Sequence, residues 1–175
     1  MLTAIRTQLG MAYLYSGDDE SAGKLLTGLF DENPQDPEVV RAYAYYCLKI
    51  EGVTQAHEAF KRLRGIKIKS RFDRSQYHLY YGLFLLGIGE KGKAKEEFSK
   101  AHKADKNNVY VMMKLARTYY DLSNEIWIDG DIELAKTYAD DCAVIVKKIL
   151  DFDPDNPVGR ALQEELYVKF EIVVS

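Results

Sequence analysis

The chain has 175 residues, of which 47% are hydrophobic and 29% are charged, and its formal net charge is −3. This balance is typical of a globular protein and excludes a disordered chain, and the acidic net charge argues against a dedicated nucleic-acid binder. Four prolines and little alternation of polar and apolar residues favour helices. The longest apolar run, 79–88, is about half of a membrane span, so no spanning helix is expected.

The chain opens without the charged and apolar segments of a secretory signal. We therefore expect a cytoplasmic location, with a fragment of a longer protein as an alternative. Cys47 and Cys142 lie in apolar helical patterns, and neither has a second ligand at zinc spacing. The expected state of both is a buried free thiol.

Small residues recur along the chain at separations of 34, 38 and 34 positions, at Gly10, Ala44, Gly82 and Ala116. An alanine series with separations of 34 and 38 accompanies them, at Ala22, Ala56 and Ala94. A large apolar side chain follows each of these alanines by four residues, at Leu26, Phe60 and Phe98. Both series keep a period of 34, with four residues inserted once around 70–74. A period near 34 is typical of stacked helical hairpins.

With this pattern the chain resembles the tetratricopeptide repeat (TPR) family. Residues 3–36 match its motif at Leu9, Gly10, Tyr13, Ala22, Leu26 and Pro34. Repeats 37–70 and 75–108 keep the small residue, the alanine and the phenylalanine, but have Tyr43 and Tyr81 in place of the motif leucine. The resemblance implies an all-α fold, a right-handed α-solenoid of stacked antiparallel helix pairs, which we predict as a single domain over 1–175. The small residue of each first helix should let the second helix approach closely.

The fourth repeat, predicted over 109–155, has longer helices than the other three. Its turn glycine, Gly130, comes seven residues late, and its closing proline, Pro154, comes fourteen late. Two helical turns take about 7.2 residues, so an insertion of seven in each helix keeps the apolar face aligned. We predict helices over about 109–128 and 131–152. A capping helix over about 157–173 should follow, with Asn156 as its N-cap.

No set of residues in the sequence suggests catalysis. His57, His78 and His102 occupy unrelated repeat positions, and none lies beside a nucleophile with an orienting carboxylate. The glycine-rich segment 87–93 lacks the strand and the Ser or Thr of a phosphate-binding loop. We therefore expect no enzyme activity, no cofactor and no metal site.

In the family that the chain resembles, the first helix of each repeat lines a concave groove. Carried onto this sequence, the groove residues are Met11, Leu14, Tyr15, Arg41, Tyr45, Leu48, Lys49, Leu79, Leu83, Leu86, Tyr110, Met113, Arg117 and Tyr120. An apolar and aromatic surface with a few cations is typical of interface cores. The resemblance thus implies a non-catalytic scaffold that binds a partner peptide or helix with apolar anchors. For Leu83 and Leu86, packing between neighbouring helices is an alternative.

Charge is distributed unevenly along the chain. Seven cations form a basic patch between residues 61 and 74, namely Lys61, Arg62, Arg64, Lys67, Lys69, Arg71 and Arg74. This patch permits an alternative function, binding of RNA or of an anionic surface, although such cations also solvate irregular connections. The fourth repeat is acidic, so a head-to-tail homo-oligomer, or a regulatory or self-assembly module of a larger protein, is a further alternative.

Overall fold

The computed structural model describes residues 2–64, 68 and 70–174. Within them the regular structure is helical, in the order α1 (Leu2–Ser16), α2 (Asp19–Glu32), α3 (Pro37–Tyr46), a π-helical turn (Cys47–Glu51), α4 (Val53–Arg64), α5 (Arg71–Gly87), α6 (Lys91–Ala104), α7 (Val109–Ile128), α8 (Ile132–Phe152) and α9 (Pro157–Phe170). This order confirms the all-α prediction. The chain forms two compact units, Met1–Ile88 and Gly89–Ser175. The single domain over 1–175 stays a prediction.

Unit 1 consists of two helical hairpins and α5. Helix α1 packs on α2 and α3 packs on α4, while α1 and α5 also contact α3. A Cβ atom built on Gly10 would lie 2.6 Å from Cδ2 of Leu26 and 2.8 Å from its Cγ, and Leu26 is fully buried. The absence of a side chain at Gly10 therefore allows α2 to approach α1, as the repeat pattern predicts.

Side-chain caps define where the helices of unit 1 begin. The carboxylate of Asp18 accepts a hydrogen bond from the backbone N–H of Ser21 at 3.1 Å and begins α2, and Asp36 begins α3 in the same way. Ser70 caps α5 by accepting from the N–H of Asp73. The four inserted residues consequently form the first turn of α5, so Arg71 and Arg74 lie on a helix and not in an irregular connection.

Helix α3 ends in the π-helical turn Cys47–Glu51, which closes at Gly52 with a φ of 112°. The turn glycines of repeats 1 and 3, Gly17 and Gly89, have a φ of 82° and follow the small residue of their repeat by seven positions. Gly52 follows Ala44 by eight. A π-helical turn accommodates one extra residue within an α-helix. The π-helical turn therefore accounts for the turn glycine that comes one position late.

Unit 2 is dominated by a long hairpin. Helices α7 and α8 have 20 and 21 residues, whereas α2 and α6 have 14 each. These bounds confirm the predicted extended repeat. Helix α6 packs on α7, and α9 packs on both α8 and α7 as a capping helix. The core between them includes Phe98, Leu115, Ile149, Leu162 and Leu166, all of which are buried.

Helix α9 begins where the sequence predicts and ends earlier. The side-chain oxygen of Asn156 accepts from the N–H of Gly159 at 3.1 Å, which confirms the N-cap. The helix ends at Phe170 and not near 173, because Glu171 adopts the left-handed conformation with a φ of 59°. That conformation stops the helix while the N–H of Glu171 still bonds to the carbonyl of Tyr167.

Candidate functional site

Three tyrosines from α1, α3 and α5 form a cluster in unit 1, which we term the tyrosine cluster: Tyr15, Tyr45 and Tyr80. The hydroxyl oxygens of Tyr15 and Tyr80 are 3.1 Å apart and share a hydrogen bond. The ring centroids of Tyr45 and Tyr80 lie 4.6 Å apart, and those of Tyr15 and Tyr45 lie 6.0 Å apart. Tyr80 is buried, whereas the side chain of Tyr15 is 63% exposed. The cluster therefore has a fixed base and an accessible aromatic edge.

Burial keeps the base of the cluster neutral. Desolvation raises the pKa of the Tyr80 hydroxyl well above its usual value, and the hydrogen bond with Tyr15 raises it further. The Tyr80 hydroxyl therefore remains a hydrogen-bonding group and not an anion at physiological pH.

One cation of α3 and one of the π-helical turn that follows it lie beside the cluster. Nη1 of Arg41 is 3.2 Å from Oδ1 of Asp73, and the Arg41 side chain is only 12% exposed. Nζ of Lys49 donates to the backbone carbonyl of Leu14 at 2.7 Å. These contacts tie α3 to α5 and to the end of α1, so they hold the helices that carry the three tyrosines.

Two of the groove residues predicted for unit 1 are core residues. Leu14 is fully buried and Leu79 is 3% exposed, so neither side chain is available to a partner. Met11, Leu48, Leu83 and Leu86 are half-buried and remain candidates. Tyr80, next to Leu79, was not predicted to line the groove, because the repeat positions that the family resemblance gives assign Leu79, and not Tyr80, to it.

In unit 2 the predicted residues form one stripe along α7. Their spacings of three, four and three place them on one face of the helix, at Tyr110, Met113, Arg117 and Tyr120. Tyr110 is 46% exposed and the others are half-buried. A cation covers each aromatic ring, since Nζ of Lys114 is 5.2 Å from the Tyr110 centroid and Cζ of Arg117 is 5.6 Å from that of Tyr120.

Helix α9 contributes to the same face. Arg117 donates two hydrogen bonds to Glu165, from Nη1 to Oε2 at 2.8 Å and from Nη2 to Oε1 at 3.2 Å. The ring of Tyr120 meets that of Phe170 edge-on, with centroids 6.3 Å apart. A cleft lies between the helices and is lined by Tyr120, Ala161, Glu164, Glu165, Val168 and Lys169. The sequence did not predict the α9 residues, because the α9 segment carries no repeat motif.

The predicted basic patch is only partly described. Lys67 and Lys69 lie outside the described residues, as does the side chain of Arg64. Cζ of Arg62 lies 4.9 Å above the ring of Phe30, and Nζ of Lys61 is 3.9 Å from Glu58. The patch therefore stays a prediction.

No protein-family model and no curated protein matches the sequence. Solved structures do match. The MamA protein superposes with a TM-score of 0.64 and 16% identity, covering 97% of this chain and 88% of MamA. A putative kinesin light chain of Podosopora anserina, with nearly identical TPR-like repeats, has a TM-score of 0.67 and 14% identity, covering 96% and 85%. This chain has a TPR-like fold.

A third structure with this fold is YrrB, a TPR protein with an unusual peptide-binding site. It matches with a TM-score of 0.57 and 9% identity, covering 93% of this chain and 84% of YrrB. The tyrosine cluster lies on α1, α3 and α5 and the stripe lies on α7. These are the helices that the repeat pattern predicts to be the first of each repeat. Within the described ranges, no helix has both the length and the apolarity needed to cross a membrane.

Proposed function

We propose that this chain is a non-catalytic scaffold that binds a segment of a partner protein on the first helices of its TPR-like repeats. The carrying observation is the tyrosine cluster, in which a 63% exposed aromatic side chain is supported by two packed tyrosines. Tyrosines are enriched among the residues that contribute most to binding energy. A supported ring also loses little conformational entropy when a partner covers it.

The chemistry of the two faces favours a partner segment with apolar or aromatic anchors. In unit 1 the anchor would pack on Tyr15 and Tyr45, next to the half-buried Leu48. In unit 2 it would enter the cleft between α7 and α9, where Tyr120 and Val168 supply apolar surface and Lys169 supplies a charge. Anchors at intervals along one segment are typical of an amphipathic helix or an extended peptide in a groove.

The experiment is a selection of binding peptides from a displayed random library on the intact chain, followed by calorimetry with the selected peptide. We expect Tyr15→Glu to weaken binding by about thirtyfold, the factor that corresponds to a contact of about 2 kcal/mol. Tyr167→Glu is the matched control, because Tyr167 is 61% exposed and is not among the residues that line the cleft between α7 and α9. Circular dichroism should give the same helicity for both variants.

Equal losses in the two variants would contradict the proposal, since they would indicate a non-specific effect of added negative charge. Unchanged binding in Tyr15→Glu would contradict the assignment of the tyrosine cluster. A parallel titration with single-stranded RNA tests the basic patch, which requires an affinity that falls steeply with salt. Binding at the tyrosine cluster should depend on salt only weakly.

A further inference from the structure

A surface cavity in unit 2 involves none of the groove residues. Its volume is about 380 Å³, and it lies where the end of α6, the connection to α7 and the end of α8 meet. The residues that line it are His102, Lys106, Asn107, Met112, Lys148, Asp151 and Phe152. Three separate segments thus bring two lysines, a histidine and an aromatic ring to one concave site.

The polar groups of this cavity lack partners within the described part of the chain. Nδ1 of His102 is buried and forms no hydrogen bond. Lys106 and Lys148 take part in no ion pair and no hydrogen bond among the described residues. A buried polar atom without a partner costs free energy, so such an atom in a native cavity requires an explanation. The ammonium groups of Lys106 and Lys148, unlike this buried nitrogen, are exposed and open to an anionic ligand.

The electrostatics of the cavity favour an anion. Burial lowers the pKa of His102, and the positive charges of Lys148 and Lys106 lower it further, although Asp105 acts in the opposite direction. The imidazole is therefore neutral at physiological pH, and the charges of Lys148 and Lys106 lie close enough to act on it. Asp151 is the one carboxylate among the lining residues, so with His102 neutral the two lysines leave the cavity with a positive charge.

The apolar part of the lining indicates what the anion is attached to. Met112 is 3% exposed and forms part of the wall, while the ring of Phe152 is 65% exposed at the rim. Such a ring can stack on a planar group with an offset face-to-face geometry. A bare inorganic ion would leave this surface uncovered.

We propose that this cavity binds a phosphate monoester that carries an aromatic group. The ammonium groups of Lys106 and Lys148 line the cavity together with His102, and a phosphate dianion complements two ammonium groups better than a carboxylate does. The aromatic group lies against Met112 and Phe152. Two sources share this chemistry, a phosphotyrosine side chain and a nucleoside monophosphate.

The test is a titration of the ¹⁵N-labelled chain with phenyl phosphate, monitored by the amide signals of residues 102–107 and the imidazole signals of His102. We expect saturable shifts and a rise of the His102 pKa on binding, because the bound dianion stabilises the imidazolium. Inorganic phosphate should bind more weakly than phenyl phosphate, and benzyl alcohol should not bind. N-acetyl-phosphotyrosine amide and AMP, titrated separately, identify the source from the tighter of the two.

Two neighbouring lysines provide the matched variants. Lys148→Gln should weaken phenyl phosphate binding by roughly tenfold, the factor for one charge-assisted hydrogen bond. Lys147→Gln makes the same change in net charge on an exposed residue that does not line the cavity, and should change the affinity less than twofold. Asp151→Asn should tighten binding, because it removes the one carboxylate of the lining.

Three results would overturn the proposal. The absence of saturable shifts would exclude the site. Equal weakening by Lys147→Gln and Lys148→Gln would show a general attraction of anions to a positive surface. Inorganic phosphate binding as tightly as phenyl phosphate would refute the aromatic part of the ligand. Circular dichroism of each variant checks that the substitution leaves the fold intact.

Discussion

The contact between Gly10 and Leu26 allows the helix spacing of the first hairpin to be tested quantitatively. Gly10→Ala adds a methyl group 2.6 Å from Cδ2 and 2.8 Å from Cγ of Leu26, a side chain that is fully buried. Overpacking of this kind costs about 1–3 kcal/mol. Replacing glycine by alanine inside a helix contributes about 1 kcal/mol in the opposite direction. The net change in the free energy of unfolding should be a loss of about 0–2 kcal/mol.

Gly28 provides the control for this prediction. It lies inside α2, and a Cβ atom built on it meets no heavy atom within 4 Å. Gly28→Ala should therefore stabilise the protein by about 1 kcal/mol through helix propensity alone. Because the propensity contribution is common to both variants, the difference between their unfolding free energies isolates the steric cost, about 1–3 kcal/mol. Urea denaturation followed by circular dichroism measures both.

A second background tests the identity of the clashing atom. In Leu26→Ala, which itself costs about 2–5 kcal/mol, the added methyl group at position 10 has no opposing side chain. Gly10→Ala should then become stabilising by about 1 kcal/mol, so its sign reverses between the two backgrounds. Equal stabilisation by Gly10→Ala and Gly28→Ala in the wild-type background would refute the close approach of α1 and α2.

Two further predictions concern buried titratable groups. Because the pKa of Tyr80 is raised in the folded state, the folded protein keeps the hydroxyl proton above pH 10, whereas the unfolded chain loses it. The free energy of unfolding should therefore fall by up to about 1.4 kcal/mol per pH unit above pH 10. Tyr80→Phe should reduce this slope. Burial raises the pKa of the Cys142 thiol to about 12, and Cys47 is also buried. A thiol reagent at pH 8 should therefore label neither cysteine in the native protein and both cysteines in urea. Rapid native labelling would show that the hairpins open.

The features predicted correctly from the sequence depend on short-range or strictly periodic signals. Gly10 opposes Leu26 because both belong to marker series that keep the 34-residue period. The bounds of α7 and α8 follow from the late positions of Gly130 and Pro154. Each helix is longer by a whole number of turns, so its apolar face stays aligned. Asn156 caps α9 because an asparagine before a proline carries its own start signal.

The features that the sequence did not predict depend on long-range partners. The position of Tyr80 beside Tyr45 is decided by how α5 packs on α3, and the hydroxyl partner of Tyr80 lies 65 residues earlier, at Tyr15. Glu165 meets Arg117 across 48 residues, in a helix without repeat markers. A periodic pattern predicts which helices pair, but it does not determine the rotation of a helix about its axis to within one residue.

The π-helical turn shows that a one-residue displacement is accommodated locally. The turn glycine of repeat 2 is one position later than in repeats 1 and 3, yet Ala44 and Ala56 keep the separation of twelve found for Gly10 and Ala22. The extra residue in the wide turn is therefore balanced by one residue fewer between Gly52 and α4, which begins at Val53. Moving the glycine one position earlier should restore the geometry of repeat 1, where Gly17 is followed by the N-cap Asp18.

The double substitution Glu51→Gly and Gly52→Asp makes this move without changing the chain length. Gly52→Asp alone should destabilise the protein by about 1–3 kcal/mol, because a φ of 112° with a ψ of −178° is strained for any other residue. Adding Glu51→Gly should recover this loss and contribute about 1 kcal/mol more, since the new aspartate can cap α4 by accepting from the N–H of Gln55, as Asp18 accepts from Ser21. Urea denaturation of the two variants measures the sign of the second step. If Glu51→Gly fails to rescue Gly52→Asp, the wide turn is required by the packing of α3 on α4, and is not the consequence of a late glycine.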